Sequence, residues 1–144
     1  MIPDKDELLA ACRGLPPLDT DNPMLDAAGE LTGLHEALEI TPASKSETLE
    51  WRRVRLVRQI DEWVNHALPQ PFPNASIHTE TVGNVVDRLA ALTFQTYVAL
   101  AQAPDALYED AWTRLADLAV GYQDLIDQLR TGVRRLPGPH PHLW

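Results

Sequence analysis

The sequence predicts an all-α protein, an up-down four-helix bundle with a short N-terminal helix and a frayed C-terminal tail. Three observations carry this reading. Four long stretches repeat apolar residues at three- and four-residue spacing, the period of a helix buried on one side. Prolines accompanied by cap residues separate these stretches at Pro42, at Pro69, Pro71 and Pro73, and at Pro104. No stretch carries a strand signal. The expected organisation is an arm over residues 1–20, the bundle over 21–136 and a flexible tail over 137–144.

A chain of 144 residues can bury a core of its own, and 44% hydrophobic with 23% charged residues is a globular composition. The net charge of -9 argues against nucleic acid and against an anionic membrane surface as partner, because both are bound through clustered Lys and Arg. One local exception places Arg52, Arg53, Arg55 and Arg58, four of the 12 basic residues, on a short stretch. No apolar run reaches the roughly 20 residues that a membrane-spanning helix needs. With a single cysteine and an acidic N-terminus, the chain reads as cytoplasmic.

The elements follow in order. Asp4 or Asp6 opens a short helix through Cys12, stopped by Gly14 and Pro16-Pro17; the Cys12 thiol reads as a small buried apolar group. Asp21 or Asn22 caps a second helix that runs from Met24 to about Ile40, with Pro23 in its first turn. Ser44 or Ser46 restarts the chain, with Glu47 three residues after Ser44 as capping-box partner, and a third helix runs to about Leu68. A fourth starts near Thr79, capped by Ser76 or Thr79, and a fifth spans about Asp105 to Arg135. Tryptophan, tyrosine and phenylalanine fall mostly on the core stripes and read as packing.

Polar residues on those apolar faces mark where a site would lie. His35 falls on the stripe of Leu25, Ala28, Leu31 and Leu38, with Glu36 and Glu39 beside it. Asp61 lies within the apolar face of the third helix, where a carboxylate needs a partner; Arg58, Arg53 and Arg88 are the candidates. The fourth helix carries Glu80, Asn84 and Asp87 on one stripe, with His78 before it and Arg88 after. Gly83 inside that helix calls for close approach of another helix or of a ligand.

Three segments, LHEALE (Leu34 to Glu39), RLVRQIDEW (Arg55 to Trp63) and IHTETVGNVVDRLAAL (Ile77 to Leu92), resemble the bacterial domain-of-unknown-function family 4254, with an echo in GYQDLIDQL. The resemblance implies an all-helical bacterial cytosolic domain and brings no activity with it.

Two functions fit these residues. In the first, the bundle is a non-catalytic ligand-binding or protein-interaction domain without a cofactor. Arg58, Asp61, Glu80, Asp87 and Arg88 then form a buried ion-pair network, while His78 and Asn84 bind loop backbone. Its partners would be a second copy of the chain, another protein, or a small anionic ligand held by the arginines and the start of the fourth helix. In the second, the protein is a Mg2+- or Mn2+-dependent hydrolase of a nucleotide or other phosphorylated small molecule. Glu36, Glu39, Asp61, Glu80 and Asp87 would supply its ligands. Glu36-x-x-Glu39 looks like half of the ExxE and ExxD pattern of all-α pyrophosphohydrolases similar to MazG.

Overall fold

In the computed structural model, residues 1–15, 22–102 and 104–138 are described, and they form five helices joined by short breaks. Pro16-Pro17, Asp21 and the tail from residue 139 onward lie outside the described residues.

Helix α1 (Lys5–Cys12) opens with a reciprocal capping box in which Asp4 accepts the Glu7 amide at 2.8 Å and Glu7 accepts the Asp4 amide. It closes on Gly14, whose φ of +78° suits a residue without Cβ, with the Leu15 amide returning to the Ala10 carbonyl. Helix α2 (Pro23–Ile40) takes Asn22 as its cap, the side chain accepting the Met24 amide. Helix α3 (Glu47–Ala67) does not use the expected capping box. A single 3-10 turn over Ala43–Lys45 brings the Ser46 hydroxyl round to donate to the Ala43 carbonyl instead.

Helix α4 (Val82–Gln102) starts later than the sequence suggests, because the chain before it is already engaged. Residues Ser76–Ile77 form a two-residue strand, β1, parallel to β2 (Arg134–Arg135). The His78 amide then donates to the Arg135 carbonyl at 2.8 Å. Thr81 is therefore the first residue able to cap, and its hydroxyl accepts the Asn84 amide. A pair this short has no periodicity to read in the sequence. Its other strand also shortens the last helix: α5 (Asp105–Thr131) ends at Gly132, φ +79°, and Arg134 and Arg135 leave it for β2.

Helix α4 packs against each of the other four helices, presenting Val82, Val85, Val86, Leu89 and Ala90 to one continuous core. Helix α1 packs on α2, α4 and α5, so Leu8 and Cys12 join that core. The N-terminal residues are fastened to α5: the buried Tyr122 hydroxyl donates to the Pro3 carbonyl at 2.7 Å, and Arg130 donates to the Ile2 carbonyl. The aromatic residues depart from expectation. Tyr122 is fully buried, whereas Trp51, Phe72, Tyr97 and Trp112 are exposed. No described helix is long and apolar enough to cross a membrane.

Candidate functional site

Two of the polar residues that sequence reading places on apolar faces, His35 and Asp87, meet where α2, α3 and α4 pack together. Asp87 is the centre. One of its carboxylate oxygens pairs with His35 Nε2 at 2.8 Å and the other with Arg53 Nη1 at 2.6 Å. Arg53 turns its Nε and Nη2 to Glu50, one turn back on the same helix, at 3.1 and 2.9 Å. Only 13% of the Asp87 side chain is exposed. Burial by itself would raise its pKa, but the His35 hydrogen bond and the charges of His35 and Arg53 outweigh burial and hold it below the usual carboxylate range.

The chain His35–Asp87–Arg53–Glu50 thus ties three helices in one register. It opens onto a groove of about 290 Å3. His35, Leu38 and Glu39 line it from α2, Glu50 and Arg53 from α3, and Ala91, Phe94 and Gln95 from α4.

The other candidate residues enter separate contacts. Asp61 pairs with no arginine; its carboxylate accepts the Gly83 amide at 2.7 Å and so caps α4 from the side of α3. Burial raises its pKa, and the hydrogen bonds from Gly83 and Thr81 only partly offset this. Gly83 is required at that spot, since a Cβ there would lie 2.5 Å from the Val57 carbonyl oxygen. Glu80, just ahead of α4, pairs with Arg88 at 2.6 Å on the surface. His78 Nδ1 lies 3.1 Å from the Glu80 amide and 2.9 Å from its carbonyl, holding the loop. The side chains of Glu36, Glu39, Arg58 and Asn84 are exposed and belong to none of these contacts.

The expected network of Arg58, Asp61, Glu80, Asp87 and Arg88 is therefore not formed as such. Asp61 and Asp87 serve different partners, and Arg53 and Glu50 stand where Arg58 and Arg88 were expected. The signal for that pair is Glu50-x-x-Arg53, an i,i+3 spacing that lets acid and guanidinium meet on one helix face. The anion position at the start of α4 is filled by Asp61 itself, and Arg52 is taken by Glu30 on α2. Among the described residues no three His, Cys, Asp or Glu side chains come together as a metal would need, so Glu36, Glu39, Asp61, Glu80 and Asp87 do not converge.

No curated protein and no solved structure matches the chain. The family described as "Protein of unknown function (DUF4254)" matches residues 40–137, from the end of α2 through β2. That match spans Arg53, Asp61, Gly83 and Asp87, and by it the chain belongs to the DUF4254 family.

Proposed function

We propose that the protein is a binding module whose site is the groove over the His35–Asp87–Arg53–Glu50 network. The observation that supports this is the division of Asp87 between His35 and Arg53. Both side chains lining the groove are held in place by protein contacts, so little order remains to be created when a ligand arrives.

Charge selects the ligand. Arg53 already faces two carboxylates, those of Glu50 and Asp87. Glu39 adds a further negative charge to the lining, and Phe94 adds an aromatic ring, a kind of group that attracts cations. The fitting occupant is a small amine or diamine, not a phosphate or carboxylate. A cytoplasmic location goes with this reading, supported by a free Cys12 in a chain with one cysteine.

Thermal melting with added diamine tests it. A ligand at 100 times its Kd stabilises the native state by about 2.7 kcal/mol, a shift of several degrees in Tm. The expected result is a saturable rise with a diamine that disappears in Glu39→Gln. A rise with inorganic phosphate or succinate in its place, or none with any amine, overturns the reading.

A further inference from the structure

A second recess lies along the same stretch of α4 as the groove but on the side facing α1 and α5. It encloses about 270 Å3, the low end of small-molecule sites and room for one or two rings. Arg13 borders it from the end of α1, Thr93, Thr96 and Tyr97 from α4, and Tyr108 and Trp112 from α5.

Three features set it apart from ordinary surface. The first is aromatic exposure: Tyr97 is 47% and Trp112 44% accessible, and both line the recess together with Leu100 at 61%. Clustered exposed apolar area of this kind marks a contact site more often than isolated residues do. The second is charge. Of the described side chains lining the recess, Arg13 alone is charged, in a chain of net -9. Its guanidinium lies 5.7 Å from the centre of the Trp112 ring, which holds it against the aromatic wall. The third is a polar anchor at the wall. Thr96 is buried and its hydroxyl proton is committed to the Leu92 carbonyl at 2.7 Å, so its oxygen remains as an acceptor.

We propose that this recess binds a small aromatic carboxylate. The carboxylate pairs with Arg13, whose fork of N–H donors matches two carboxylate oxygens and whose single charge balances that of a carboxylate, whereas a phosphate carries close to two. The ring lies against Trp112 and the tyrosines, where offset or edge-on contacts between rings are favourable. A ring N–H or O–H on its far side meets the Thr96 oxygen. This site is independent of the amine groove and shares none of its residues.

Titration calorimetry with indole-3-acetate, using indole-3-acetamide as the uncharged analogue, tests the proposal. Indole-3-acetate binds saturably, and indole-3-acetamide binds about tenfold more weakly or worse. Arg13→Gln removes the difference between the two. Arg55→Gln, which changes the net charge equally on the exposed side of α3, leaves binding intact. Equal affinity for acid and amide, full affinity in Arg13→Gln, or no saturation by the acid up to its solubility limit overturns the proposal. Arg13 is exposed and its loss leaves the core untouched. Should that variant still melt early, Tyr97→Ala replaces it: weakened binding of the acid is expected and unchanged binding overturns the proposal.

Discussion

Asp61 and Gly83 form a single device: the Asp61 carboxylate oxygen that accepts the Gly83 amide at 2.7 Å is also the atom that a Cβ on residue 83 would strike, again at 2.7 Å. The first turn of α4 has amides without partners inside the helix, and it lies against α3. An acid on α3 supplies one missing acceptor and places negative charge at the positive end of the helix dipole. That arrangement works only if α4 comes close enough, and a glycine allows it.

Gly83→Ala therefore destabilises, although alanine is the better helix former by about 1 kcal/mol. The new methyl meets the Val57 carbonyl, which is backbone and cannot swing aside. Overpacking of this kind costs about 1–3 kcal/mol. Urea unfolding should show a lower midpoint at unchanged slope; a midpoint equal to or above the parent would mean that the two helices are not in contact in solution.

Replacements of Asp61 separate its hydrogen bond from its charge. Asp61→Ala strands the Gly83 amide and should cost about 1 kcal/mol, as lost caps do. Asp61→Asn keeps an acceptor and removes a charge that burial disfavours. Because the folded pKa lies above the unfolded one, near 3.9, the native state holds its proton to higher pH. The parent thus loses stability relative to Asp61→Asn as pH rises from below the unfolded value through the raised folded one. Above that window the gap is constant, with the Asn variant equal or more stable. Melting curves from acid to neutral pH check the sign.

Asp87 should behave oppositely, since its folded pKa is depressed. Its contribution is present at pH values above the unfolded pKa, near 3.9, and is lost as pH falls through the lower folded value. Asp87→Asn at neutral pH leaves the half-buried Arg53 facing an amide. The expected cost is about 2 kcal/mol, below the range for fully buried pairs because Arg53 is 29% exposed. Below that window, in strong acid, the variant and the parent should converge. A gap that stays constant from pH 7 into strong acid would mean that Asp87 carries no ionised pair.

Helix periodicity was enough to find the bundle, and the misfit residues on apolar faces, His35, Asp61, Gly83 and Asp87, were legible for the same reason: each violates a pattern that is otherwise kept. Their partners were not legible. Asp61 is satisfied by a backbone amide, and every residue but proline has one, so nothing in the sequence marks Gly83 as its donor. Asp87 selects Arg53 over Arg58 because of how α3 is rotated, and the two arginines are equivalent until the helices are packed. The strand pair at Ser76–Ile77 and Arg134–Arg135 was hidden by its length, and it moved two helix boundaries. The rings of Tyr97 and Trp112 fall at helical spacing yet face outward, because α4 and α5 extend past the core that the shorter α1 closes.

Cys12 reports whether that closure holds in solution. The thiol is 2% exposed, and burial pushes its pKa up to about 11 despite hydrogen bonds with Thr32 and Thr93. Only the thiolate attacks a disulfide reagent, so at pH 8 the folded protein presents neither access nor the reactive form. Labelling must then wait for α1 to open or for the whole chain to unfold. At pH 8 the native protein should react at least about a thousandfold more slowly than the urea-unfolded chain, following the fraction unfolded. If opening is global, destabilising α4 through Gly83→Ala should raise the native rate in proportion to its loss of stability. Rapid labelling of the parent would show α1 detaching by itself, which would uncover Leu8 and the surfaces of α2 and α5 that α1 covers without unfolding the rest.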